Sequence, residues 1–153
     1  MFVLKSAKHP NRFYVPSTAD ANVRVFDLQA DNTLTLVDVI YTGYPADNLT
    51  VDEDDNIYAA CFANVPTLLA VFKDPYNART PTTVLKISSN QGEGRFYGKK
   101  WNVEKVFQDD GSGISGATTA LWDQENNGFW VAGKYRHYNT DVNIANSQER
   151  EEQ

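Results

Sequence analysis

Apolar residues recur along this chain with a period of two rather than 3.6, which excludes most helical folds. Val23-Arg24-Val25 and Phe26-Asp27-Leu28 each set apolar side chains on either side of a charge, and residues 34–41 form a β-branched run. The same reading gives strands at residues 12–15, 23–28, 34–41, 48–51, 57–62, 68–72, 83–87, 103–107, 117–122 and 129–132. Turn-forming clusters separate them at residues 29–32, 52–56, 74–78, 109–113 and 125–128. No twelve-residue window carries a clean helical stripe, so the expected class is all-β.

The 153 residues suit one domain with a real core. Fourteen Lys and Arg against twenty Asp and Glu leave a net charge of −6, the wrong sign for a nucleic-acid binder. A single cysteine, Cys61, excludes an internal disulfide and a multi-cysteine zinc site. The longest apolar run, Leu68-Leu69-Ala70-Val71-Phe72, is far short of a membrane span. The N-terminus, Met1-Phe2-Val3-Leu4-Lys5, is too short for a signal-peptide apolar region, so the expectation is cytoplasmic by default, and secreted or membrane-associated if an N-terminal part is missing.

Two units repeat the same rhythm. Residues 12–41 run strand, turn, strand, turn, strand; residues 48–87 do so again and add a strand; residues 117–132 begin a third. Four-stranded units of this size are the blades of β-propellers. A sandwich of seven to nine strands fits the strand count equally. Residues 88–100, with Gly92, Gly94 and Gly98, read as a long loop. Residues 1–142 are the expected domain, and the charged stretch 143–153 is an expected disordered tail.

Several motifs carry chemistry by letters alone. Gly111-Ser-Gly113-Ile-Ser-Gly116 spells G-x-G-x-x-G, but too few residues follow for the helix whose N-terminus would hold a pyrophosphate. Asp52-x-Asp54-x-Asn56 opens like an EF-hand loop, yet Ile57 and Ala63 stand where Gly and Glu are needed. Asn48-Leu49-Thr50 is a glycosylation sequon whose residues look like strand. Ser115 lacks the second glycine of a nucleophile elbow, and Cys61 among small apolar residues reads as a buried hydrophobe. Arg95-Phe96-Tyr97-Gly98-Lys99-Lys100-Trp101 interleaves cations and aromatics. A loop folding its aromatics onto the domain is the default there, and a partner contact the alternative. Asp47-Asn48 before a strand offers two hard oxygen donors, or simply caps a turn.

Asp47-Asn48-Leu-Thr-Val-Asp52, the strand that ends at Cys61, Asp74-Pro75-x-Asn77 followed by Val84-Leu85-x-Ile87, Gly116-Ala-Thr-Thr-Ala, and Gly133-Lys-Tyr-Arg-His137 occur in that order. Together this series resembles the C-terminal part of the paraoxonase/arylesterase family. The resemblance implies a six-bladed β-propeller with calcium in its central tunnel, of which this chain would hold about two and a half to three blades. It implies hydrolysis of a small-molecule aryl ester or lactone. It places Asp47 and Asn48 on the family's calcium ligands, and Tyr135 and Arg136 at the substrate pocket. The family's remaining metal ligands, its proposed general-base histidines and its cysteine pair have no counterpart here. A partial propeller leaves open blade edges, through which self-association is expected. Two other readings stand beside this one. One is a non-catalytic β-repeat module that binds through residues 95–101. The other is a propeller of the gluconolactonase or strictosidine-synthase-like type.

Overall fold

The computed structural model describes residues 3–133 and 140–143. Three antiparallel sheets follow one another along the chain. The first contains β1 (Leu4–Lys5), β2 (Arg12–Ser17), β3 (Asn22–Leu28) and β4 (Leu34–Tyr41), side by side in that order. The second contains β5 (Ala46–Val51), β6 (Ile57–Phe62), β7 (Thr82–Ser89) and β8 (Trp101–Asp109). The third is β9 (Ala117–Asp123), β10 (Gly128–Gly133) and β11 (Thr140–Asn143). Each is a meander. The leading strands meet: β5 lies against β9 on one side and against β1 and β2 on the other. The chain is all-β with a partial propeller-like architecture, and the described sheets do not close into a barrel.

The second sheet is sandwiched, and β6 shows it. All six residues of β6 are buried. Ile57, Ala59 and Cys61 point into a core shared with Tyr14, Val23, Val25 and Ile40 of the first sheet. Tyr58 and Ala60 point the other way, into a core shared with Ala120, Phe129 and Val131 of the third. Successive strand side chains face opposite sides, so one strand serves two cores. In the second core Tyr58 stacks on Trp122 at 6.0 Å between ring centres, and Phe129 meets their rings at 5.4 and 5.0 Å.

Two expectations are corrected. Residues 68–72 do not form a strand; they lie in α1 (Val65–Lys73). Asn64 caps it, its side chain accepting from Thr67 N at 3.1 Å, and Pro66 sits in the first turn. Leu68 and Val71, three residues apart, are the buried pair. The five-residue apolar run disguised this 3.6-residue period as a strand. Residues 88–100 are not one open loop either: β7 extends to Ser89, and Glu93–Tyr97 winds into a 3-10 turn closed by Gly98 at φ 89°. Of the expected tail 143–153, Asn143 ends β11, and the rest lies outside the described residues.

Phe129 is fully buried. Phe129→Ala should lower unfolding free energy by about 3–5 kcal/mol, and Ile57→Val in the opposite core by about 0.5–1.5 kcal/mol. Urea titration followed by tryptophan fluorescence reads both; equal costs would contradict the packing described here.

Candidate functional site

Regular pairing between β5 and β6 breaks at one point. Ala46 pairs with Cys61 and Leu49 with Ala59, so Asp47 and Asn48 together oppose the single residue Ala60. This is a β-bulge, a device that re-aims side chains and that concentrates near functional sites. The bulge falls on Asp47 and Asn48, the pair that the resemblance to the family implies as metal ligands.

The Asn48 amide is oriented by its neighbour. Its Nδ2 donates to the Thr118 carbonyl of β9 at 2.7 Å. A carbonyl only accepts, so the NH₂ end must face it and Oδ1 is turned away. That oxygen is buried and accepts no hydrogen bond. A buried acceptor without a donor costs roughly 1–3 kcal/mol, and calls for an explanation. Thr50 Oγ1 donates to Ala120 O at 2.6 Å, a second bond across the same strand pair. On the other side Thr18 Oγ1 donates to Ala46 O at 2.8 Å. The bulged strand is therefore tied to both flanking sheets. Asp47 is half-buried beside Asn48. The other orphaned oxygen among the described residues is Asn22 Oδ1, on β3.

Hard oxygen donors of this type suit calcium or magnesium rather than zinc. In kind, Asp47 and Asn48 fit such an ion. In number they fall short: among the described residues no three His, Cys, Asp or Glu side chains gather closely enough to hold a metal. Tyr135 and Arg136, expected at a substrate pocket, and His137 beside them lie outside the described residues.

The remaining motifs resolve as structure. Asp109 Oδ1 accepts from the backbone N–H groups of Gly111, Gly113 and Ile114 at 2.7–3.2 Å, occupying the donors that a phosphate would need. No helix follows; β9 does. Asp52 closes its own turn, accepting from Asp54 N, Asn56 N and Asn56 Nδ2 at 2.8–2.9 Å. Ser115 Oγ accepts from Thr80 N, and the Asn48 side chain of the sequon is engaged within the fold. Cys61 is wholly buried, and burial pushes its thiol up to about 12. The default for residues 95–101 is overturned in part. Trp101 packs edge-on to Tyr14 and donates to Asp38 Oδ2 at 3.1 Å, but Phe96 and Tyr97 are 86% and 89% exposed. The tight 3-10 turn lifts those two rings off the sheet.

With this geometry in place, comparison with known families is informative. The arylesterase family model matches residues 5–129, a span from β1 to the start of β10 that includes the bulge and Cys61. The chain belongs to the arylesterase family. A search of curated proteins finds no match. At family level the chain is thus an arylesterase-like hydrolase. The match ends before Tyr135 and Arg136. Among the described residues no helix is long and apolar enough to cross a membrane.

Alkali should expose the two-sided core. Burial, with Asp55 adjacent, pushes the Tyr14 hydroxyl up to about 12, and the Cys61 thiol likewise. The folded chain keeps protons that the unfolded chain releases from about pH 9 to 10. Stability should be intact below pH 9 and fall as pH rises toward 12. Urea midpoints measured between pH 8 and 11 should decline in the wild type, and decline less in Cys61→Ala. A flat profile would show these groups titrating normally in the fold.

Proposed function

We propose that this arylesterase-family chain contributes part of a calcium-dependent site that hydrolyses small-molecule aryl esters or lactones, with Asp47 and Asn48 as its metal ligands. The observation that supports this best is the buried Asn48 Oδ1, an acceptor in need of a positive partner, set in a bulge beside a carboxylate. Calcium takes six to eight oxygens. Asp47 and Asn48 supply two or three of them, so water or further donors complete the shell. When bound, calcium supplies Lewis-acid polarisation of the ester carbonyl and charge stabilisation of the oxyanion.

The chain's own residues prepare that chemistry. The Thr118 carbonyl holds the Asn48 amide in one orientation, so Oδ1 is directed before any ligand arrives. Thr50 and Thr18 hold the bulged strand between its neighbours. Asp47 brings the negative charge that a neutral amide lacks. With so few donors from this chain alone, turnover by it should be slow. The rival reading, a binding module working through residues 95–101, draws support from the exposure of Phe96 and Tyr97.

Thermal unfolding in calcium and then in EDTA tests the site. Calcium at 100 times its dissociation constant should stabilise the fold by about 2.7 kcal/mol. Asp47→Ala and Asn48→Leu should abolish that gain while leaving cooperative melts in EDTA. Wild-type melts indifferent to calcium would remove the metal site and favour the binding module.

A further inference from the structure

A cleft of about 430 Å³, the size of a small-molecule site, lies between the first and second sheets. Lys8, Arg12, Tyr14 and Asp38 line it from the first sheet and its β1–β2 connection. Asp54, Asp55, Arg95, Lys100 and Trp101 line it from the second sheet and its turns. Both walls are internal to the chain, and the third sheet packs on the far side of the second. The cleft lies beside the turn that follows β5, whereas Asp47 and Asn48 sit near the start of that strand.

The two walls are pinned together. Asp55 accepts from Ser6 Oγ at 2.7 Å, Ala7 N at 2.8 Å and Tyr14 Oη at 3.0 Å. Trp101 of β8 donates to Asp38 of β4. The cleft is thus formed before a ligand arrives, which lowers the cost of binding. Its carboxylates are already engaged. Asp38 Oδ1 accepts from Val39 N, and Oδ2 from Trp101 and Lys100. Asp54 accepts from Lys8 at 2.9 Å, and Arg12 is held by Asp27 through two bonds. Donors remain in surplus. An ammonium group has three N–H donors, and these ion pairs use one from Lys8 and one from Lys100. The exposed Arg95 guanidinium has five donors and no ion pair or hydrogen bond among the described residues. In a chain of net charge −6, spare cationic donors on both walls of one cleft mark it for an anion.

We propose that this cleft binds a small organic dianion, a dicarboxylate or a phosphate ester, held between Lys8 on one wall and Arg95 and Lys100 on the other. The planar fork of Arg95 matches a pair of carboxylate or phosphate oxygens. Val37 and Trp101 offer apolar surface to the carbon skeleton. The site does not depend on the metal reading, because it includes neither Asp47 nor Asn48.

Calorimetric titration of the full chain with succinate, and separately with inorganic phosphate, tests the proposal. The buffer is metal-free at constant ionic strength and contains no EDTA, itself a polyanion. The wild type should bind at least one probe with a millimolar or lower dissociation constant, and the tighter probe tells carboxylate from phosphate. Neutral succinamide should not bind. Arg95→Gln on one wall and Lys8→Gln on the other should each weaken binding about tenfold or more. Arg95→Lys, which keeps the charge and loses the fork, should fall between. Lys73→Gln, on α1 and outside the cleft, should bind as the wild type does. Near-ultraviolet circular dichroism checks that each variant folds. A wild type that binds neither probe overturns the proposal. So does succinamide binding equal to succinate, undiminished binding by Arg95→Gln, or an equal loss in Lys73→Gln.

Discussion

Burial of the second sheet on both sides is the constraint from which the rest of this structure follows. A strand covered on both sides carries no charge, and β6 accordingly reads Ile57-Tyr58-Ala59-Ala60-Cys61-Phe62. Ala59 and Ala60 at its centre take little room in the two cores, while Ile57 and Tyr58 each fill one of them. β7 repeats the division, with Leu85 and Ile87 in one core and Val84 in the other. Neither core is self-sufficient. Each is half built from the second sheet, so loosening that sheet would loosen all three.

The candidate site is a by-product of the same packing. β5, the leading strand of the sandwiched sheet, touches both neighbours, and its bulge falls where pairing with β6 passes Ala60. An asparagine in an exposed turn would meet water at both ends of its amide. Here β9 takes the donor end, and burial denies water to the acceptor end. That asymmetry turns an ordinary side chain into a directed oxygen, which is what a metal ligand must be. Membership of the arylesterase family supplies the class of chemistry. The geometry directs the Asn48 oxygen, and on that orientation its proposed metal role rests.

Much of the architecture was legible beforehand because alternation with a period of two is a local property. Nine of the ten strands read from the sequence occur, within a few residues at their ends. β1 and β11 were not read; the two residues of β1, Leu4 and Lys5, are too few to show a period. Residues 68–72 were misread because five consecutive apolar residues fit either period. Asn64, Pro66 and the three-residue spacing of Leu68 and Val71 are the signals that could have revealed the helix. At residues 95–101 composition was silent: exposure of Phe96 and Tyr97 depends on how a 3-10 turn lifts off the sheet.

The amino-acid sequence by itself determined nine of the strands, the all-β class, the absence of an internal disulfide and the placing of Asp47 with Asn48 at a strand start. These depend on neighbours within a few residues, where side-chain alternation and turn chemistry operate. The tertiary structure alone decided that Asn48 and Thr118, 70 residues apart, share a hydrogen bond. It alone decided that the Asn48 oxygen is left without a donor. Which side of a strand is covered depends on the sheet packed against it, and no local pattern encodes that neighbour.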